Sequence, residues 1–261
     1  MPKVSVIICC ANAEATLPAA VASAAWADEL VIVDSGSTDR TAEIAREAAD
    51  LYVVEPWRGY TGQKQYGAGL ASNDWVFILD GDEEISPELA NEIQALNDTE
   101  LDGLDVIYMP RQNWVLGRPV RAWFPDRQSR LIHRQRVTWP EEALHEDRRP
   151  SDPSRTRQLS GHLEHKRAGS ATWDDYFSGR RMDERLMLVA QQMHDRGKRV
   201  GFVGLWLRPK LAFFKFFVLK RGFLDGTFGL MIAQKAAVST QLKYAALWAI
   251  QQGHGTPQDQ S

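Results

Sequence analysis

The sequence predicts an α/β fold built on a parallel sheet, from three observations. Apolar runs of strand length alternate with helix-like segments through the first hundred residues. Those runs are continuous rather than alternating with polar positions, as strands covered on both faces require. Capping and turn residues stand where each helix should begin.

In chain order, "VSVIICC" (4–10) is the first strand. "ATLPAAVASAA" follows as a helix with Thr16 at its N-cap and Pro18 in the first turn. "ELVIVD" is the second strand, and "STDRTAEIAREAA" the second helix, capped by Ser37, Thr38 or Asp39. "LYVVE" is the third strand. A glycine-containing segment, given no element, leads to the fourth, "DWVFILD". Ser86-Pro87-Glu88 opens a further helix, with a capping residue, a proline and an acid in sequence. Residues 106–140 mix β-formers with arginine and tryptophan and read as later, partly antiparallel strands. From Glu141 to His162 the chain is polar and reads as one long loop of the lid or binding type. A helix is expected over about 172–196, with Thr172 as cap and Asp174 and Asp175 in its first turn. Leu186, Val189, Ala190 and Met193 form its apolar stripe, and Gly197 ends it. Internal repeats are absent.

The totals are those of an ordinary globular protein: 261 residues, 44% hydrophobic, 25% charged, net charge −3. That balance argues against a nucleic-acid binder and against a disordered tail. Cys9 and Cys10 are adjacent, so a strand points them to opposite faces, and a reduced, cytoplasmic protein is expected. Met1-Pro2-Lys3 runs straight into a strand, which is unlike an export signal. No apolar run approaches the ~18 residues of a membrane span. The last sixty residues are aromatic and basic, with Arg208, Lys210, Lys215, Lys220, Arg221, Lys235 and Lys243 against one acid, Asp225. Two readings fit: a helical subdomain in which "LAFFKFFVL" is simply buried, or a peripheral attachment to an anionic membrane surface. The interleaving of cations with aromatics favours the second.

"FILDGDEEIS" (77–86) carries the chemistry. Glu83 and Glu84 precede a helix N-terminus, where a carboxylate gains roughly 0.3–1 kcal/mol, and need no other role. Asp80 ends a buried strand, and Asp82 follows one glycine later. Two aspartates flanking a small residue can converge on Mg²⁺ or Mn²⁺, whose remaining ligands are waters and substrate phosphates. Ligands of parallel α/β sheets bind at this end of the strands. Asp34 ends the second strand in "VIVDSGSTDRT", has no capping job, and suits a base edge or ribose hydroxyls. Walker A and G-x-G-x-x-G loops are absent, which leaves phosphates to a metal and basic side chains.

"VSVIICCANAEATL", "ELVIVDSGSTDRT", "GYTGQKQYGAGLASNDWVFILDGDEEIS" and "ALHE", in this order, resemble the family-2 inverting glycosyltransferases of GT-A fold. Together with "LKRGFLDGTFGLMIA", they are most similar to the bacterial lipopolysaccharide core β-1,4-glucosyltransferase branch. The resemblance implies a three-layer α/β/α fold with a mainly parallel mixed sheet and a C-terminal helical extension. The catalytic domain would span 1–200, with a nucleotide-sugar half (1–105) and an acceptor-side half (106–200). The basic, aromatic region would be 201–261.

By the family pattern, Asp34 and Asp39 contact uridine, with Gly36 in the same turn. Asn12 and Glu14 are retained where family members carry Pro-Thr-Tyr-Asn-Glu, without the aromatic. Lys64 either neutralises phosphate charge or is a solvated surface lysine. Asp82 binds the divalent ion that bridges the pyrophosphate, and Asp80 reaches the ribose or a metal-bound water. Glu146 is the expected base, with Glu142 second and Glu141 in the same loop. His145 orients the site or assists the metal, and His165 is a further candidate near the metal. Arg127, Arg130, Arg148 and Arg149, unranked, cover the diphosphate.

The implied activity is metal-dependent inverting transfer of a hexose, first choice glucose from UDP-glucose. The acceptor is a lipopolysaccharide core or related glycolipid at the inner face of the cytoplasmic membrane. Transfer to polyprenyl phosphate, or a catalytically silent nucleotide- or glycan-binding module, are the alternatives. Neutralising Asp80 and Asp82 is expected to remove activity and leave the fold largely intact.

Overall fold

The computed structural model describes residues 3–139, 148–166 and 180–254, without the side chains of 180–185. The chain divides into two compact units, Met1–Gly117 with Phe124–Ser170, and Arg118–Trp123 with Ala171–Ser261.

In the first unit the expected alternation is present. β1 (Val4–Cys10), α1 (Leu17–Ser23), β2 (Glu29–Asp34), α2 (Thr41–Ala48), β3 (Leu51–Val54), α3 (Gly59–Leu70) and β4 (Trp75–Asp80) follow one another. β5 (Glu83–Ile85), α4 (Pro87–Gln94), α5 (Asp98–Asp102) and β6 (Val106–Val115) come next. The two-residue β7 (Arg118–Pro119) belongs to the second unit; the first continues with β8 (Asp126–His133), β9 (Val137–Thr138), β10 (Arg149–Pro150), β11 (Thr156–Gln158) and β12 (Leu163–His165).

The main sheet runs β3-β2-β1-β4-β8-β6-β12-β5. β1 to β4 are parallel. β8 is antiparallel to both β4 and β6, β12 is parallel to β6, and β5 is antiparallel to β12. Val6, Ile7 and Ile8 are all fully buried, because successive side chains enter cores on opposite faces of the sheet. One core joins Val6 and Ile8 to Leu17, Ala45 and Leu89 of α1, α2 and α4; the other joins Ile7 to Val33 and Ala68. Cys10 belongs to the first and Cys9 packs against the second, as a strand dictates. The result is the expected three-layer α/β/α arrangement with a mainly parallel mixed sheet.

Three local readings change. The glycine-rich segment before β4 is the helix α3. Its glycines weaken it locally by up to about 1 kcal/mol each, and tertiary packing supplies the compensation. A Cβ on Gly67 would lie 2.5 Å from Ile7 Cγ2, so the missing side chain lets α3 lie directly on the sheet. Glu83 and Glu84 are in strand β5, not in a helix approach; the helix begins at Pro87, with the Ser86 hydroxyl accepting from the Leu89 amide at 3.2 Å. The segment expected as one loop from 141 to 162 contains strands β10 and β11, the latter parallel to β6.

The second unit is mainly helical: Arg180–Asp195, Phe202–Phe214, a π turn Lys215–Leu219, a 3₁₀ turn Gly222–Asp225 and Gly226–Gln251. Ala190, Val200, Leu247 and Ile250 form its core, with Met193 beside them. Gly197, at φ 73°, reverses the chain after the first helix, while that helix's expected start at Thr172 lies outside the described residues. "LAFFKFFVL" is not simply buried: neither Phe202–Phe214 nor Lys215–Leu219 contains a fully buried residue. No helix among the described residues is long and apolar enough to cross a membrane.

Candidate active site

The carboxyl ends of β1, β2 and β4 meet along one edge of the sheet. Two loops there are bonded to each other. Asn12, in the left-handed region at φ 49°, accepts on Oδ1 from the Thr38 amide at 2.9 Å, while its own amide donates to Ser37 Oγ at 2.9 Å. Glu14 Oε2 accepts from the Arg40 amide at 3.0 Å. Asp39 accepts from the Glu14 amide at 3.2 Å and, two residues ahead of it, from the Thr41 amide at the start of α2 at 3.0 Å. Although desolvation opposes it, these hydrogen bonds hold the Asp39 carboxyl below its ordinary range.

Asp34 is nearly fully buried and does have a turn to cap, contrary to expectation. Its Oδ1 accepts from the amides of Gly36 (3.1 Å) and Ser37 (2.9 Å) and from the Ser37 hydroxyl (2.6 Å). This Asx turn uses Gly36 at φ 91°. Asp34 Oδ2 accepts from the Tyr52 hydroxyl at 2.9 Å; burial and that bond push the Tyr52 phenol up to about 12.

At the end of β4 the two aspartates separate. Asp80 Oδ1 lies 2.6 Å from Lys64 Nζ, and Oδ2 accepts from Arg130 Nη2 at 2.8 Å. Burial works against ionisation, yet Arg130 and Lys64 hold the Asp80 carboxyl well below the usual carboxylate range. Lys64 is therefore neither a surface lysine nor solvated: it is 4% exposed. Arg130 also bonds the fully buried Glu83 at 2.6 Å. Glu83 reaches Arg111 at 2.9 Å, and Arg111 holds Asp126 at 2.7 Å. So Glu83 is the centre of a buried ion network, not a helix-dipole acid, while Glu84 pairs with Lys166 at 3.1 Å.

The network ends at a histidine. Asn113 Nδ2 donates to Asp126 Oδ2 at 3.0 Å, which turns its Oδ1 toward His165 Nδ1 at 2.7 Å. An amide oxygen only accepts, so His165 carries its proton on Nδ1 and presents Nε2 to Asp82 Oδ2, 3.5 Å away. A carboxylate oxygen and an imidazole nitrogen that face each other this closely suit a cation between them. An orienting bond on the second ring nitrogen is the usual support of a histidine ligand. Gly81 allows the bend between the aspartates, since a Cβ there would stand 3.0 Å from Cys10 Cβ. Among the described residues no three His, Cys, Asp or Glu side chains cluster as a metal cage. Asp82 and His165 therefore fit a divalent ion that takes its other ligands from water and phosphate. Asp80, with both oxygens held by cations, does not fit as a metal ligand.

Sequence reasoning missed Arg111, Asn113 and Asp126. A signal existed: Arg111 and Asn113 are two apart in a strand and so share a face. Of the four arginines, Arg130 bonds Asp80 and Glu83, and Arg148 is buried, donating to the Ser129 carbonyl at 3.0 Å. Arg127 and Arg149 are exposed. Glu141, Glu142, His145 and Glu146 lie outside the described residues, in the segment between β9 and β10.

Residues 5–146 match the glycosyl transferase family 2 domain. The lipopolysaccharide core biosynthesis glycosyltransferase LpsC of Rhizobium meliloti is 31% identical, over 95% of this chain and 93% of that protein. An uncharacterized glycosyltransferase of Rickettsia typhi is 42% identical over 97 residues; the match spans 37% of this chain and about a third of that protein's length, 33%. Among solved structures, glucosyl-3-phosphoglycerate synthase from Mycobacterium tuberculosis, in complex with Mn²⁺, UDP and glucosyl-3-phosphoglycerate, superposes with a TM-score of 0.48 and 16% identity. That alignment covers 78% of this chain and 83% of the other. With the family domain over more than half of its residues and one relative matched along nearly all of it, the chain belongs to glycosyl transferase family 2.

Proposed function

We propose that this protein is a metal-dependent inverting glycosyltransferase that moves a hexose, glucose from UDP-glucose, onto a lipopolysaccharide-core acceptor. The observation that carries the reading is the approach of Asp82 and His165, with the imidazole tautomer set by Asn113. The role printed in the name of LpsC supports the acceptor class. An acceptor of that kind puts the enzyme at the inner face of the cytoplasmic membrane.

Asp82 and His165 would hold Mg²⁺ or Mn²⁺, with water and substrate phosphate as its other ligands. The ion, when bound, stabilises as a Lewis acid the charge that gathers on the departing nucleoside diphosphate. Lys64 and Arg130 keep Asp80 ionised at the strand end, where it meets the ribose. Asn12, Glu14, Gly36 and Asp39 form the interlocked loops that receive the nucleoside. Asp34 organises those loops from beneath, its oxygens already engaged by four donors. Glu146, by the sequence pattern, takes the proton from the acceptor hydroxyl on the face opposite the leaving group, which inverts the anomeric centre.

The test is to incubate the purified chain with UDP-glucose and Mn²⁺, with a lipopolysaccharide core lacking its first outer hexose or with polyprenyl phosphate. A core acceptor heavier by one hexose, formed only with metal and lost in Asp82→Asn, is the expected result. A hexosylated polyprenyl phosphate would replace the acceptor. UDP binding without turnover of any donor under Mn²⁺ or Mg²⁺ would replace the enzyme by a binding module.

A further inference from the structure

Charge is distributed very unevenly along this chain. Residues 196–254 hold ten lysines and arginines and one acid, Asp225, a net of +9. The whole chain carries −3, so the remaining residues carry −12. The one acid of the basic stretch is itself paired, with Arg121 at 3.2 Å.

The same stretch exposes apolar side chains in a pattern. Along the helix Phe202–Phe214, Phe202 and Trp206 recur at i, i+4, as do Val203, Leu207 and Leu211. All five are exposed, Phe202 by 84% and Trp206 by 58%. Leu205 and Arg208 belong to the other side of this helix: Leu205 packs on the core of the helical unit, and Arg208 bonds the Tyr244 hydroxyl at 2.8 Å. The helix is thus apolar on both sides, with one side packed and one bare. The bare face continues through the turn that follows, where Leu219 is 66% exposed and Leu224 57%. Cations border it: Lys210 Nζ sits 3.3 Å from the Trp206 ring centroid, and Lys215 and Lys220 are exposed nearby.

We propose that this face, Phe202 to Leu224, is a docking surface for an anionic phospholipid bilayer, into which Phe202, Trp206, Leu211 and Leu219 insert to the depth of the headgroups. Charge decides the occupant. A two-fold dimer would set the same +9 region against itself, which like-charge repulsion opposes. An anionic leaflet meets the cations favourably and takes the apolar side chains below them. Among the described residues no helix is long and apolar enough to cross a membrane, and the proposed contact is one-sided. The proposal needs neither donor nor acceptor and stands apart from the transfer reaction.

The test is flotation of the purified full chain with vesicles of phosphatidylcholine alone or with phosphatidylglycerol added. The chain is expected to float with the anionic vesicles and to be released at high salt, as screened electrostatics require. Lys215→Ala with Lys220→Ala should lower partitioning roughly twenty-fivefold, about fivefold per cation. Trp206→Ser with Leu211→Ser should abolish it while leaving thermal unfolding unchanged. Quenching by brominated lipid should be lost selectively in Trp206→Phe, which keeps the fold. Absence of the wild-type chain from anionic vesicles overturns the proposal. So does a dimer in sedimentation velocity that the two serine substitutions dissolve, since the face would then belong to a second copy.

Discussion

Lys64 Nζ stands 2.6 Å from Asp80 Oδ1, and both groups lie at the mouth of a network that continues through Arg130 and Glu83 to Arg111. The first aspartate of the D-x-D is thereby a structural anion as well as a proposed site residue. The second, Asp82, faces His165. The two therefore differ in what their removal does.

Asp80→Asn leaves Lys64 and Arg130 buried without their shared counter-charge. Breaking a buried pair in this way costs about 3–5 kcal/mol, so denaturant unfolding should show a loss of that size. Asp82→Asn should unfold close to wild type and lose activity. The expectation that neutralising both leaves the fold intact is thus revised for Asp80.

The acid limb of the stability curve follows from the sign of the Asp80 shift. Its folded carboxyl lies below the ordinary range, so its contribution is complete above the unfolded value of about 3.9 and is lost as pH falls through the lower folded value. The stability difference between wild type and Asp80→Asn should stay constant from pH 7 to 5 and shrink only below about pH 4. Melting temperatures across that range check it.

Asn113→Leu removes the acceptor that fixes the His165 tautomer and frees the ring to turn. Losing such an orienting partner typically costs 10–100-fold in metal affinity. Mn²⁺ titration, by calorimetry and by activity, should show that weakening, while UDP affinity without metal stays unchanged.

Gly67→Ala places a Cβ 2.5 Å from Ile7 Cγ2, between α3 and β1. Overpacking of a core contact costs about 1–3 kcal/mol, despite the better helix propensity of alanine. Chemical denaturation should show the variant destabilised, whereas Gly69→Ala, with open space around it, should be neutral or stabilising.

Much of the fold was legible because its signals are local. Continuous apolar runs marked β1, β2 and β4, and Ser86-Pro87 marked α4 to the residue. α3 was not legible, since Gly59, Gly62, Gly67 and Gly69 argue against a helix until the sheet beneath them is known. Lys64, read as exposed or phosphate-binding, is buried because that helix presses it toward β4. Glu83 was misread for a similar reason: three residues before a capped helix, local rules make it a dipole acid. Only the antiparallel partner β12 makes its segment a strand and turns the side chain inward.

By itself the sequence determined the family, the parallel half of the sheet and the place of Asp34, Asp80 and Asp82 at the strand ends, since each depends on residues close together in the chain. Tertiary structure alone decided which carboxylates are held by cations and which one faces a histidine. Lys64, Arg130, Asn113 and His165 come from a helix and three strands far apart in sequence. Their pairing is set by sheet order, which places β8 beside β4 and β12 beside β6. Burial there makes each charge require a partner, and only the fold determines which partner is within reach.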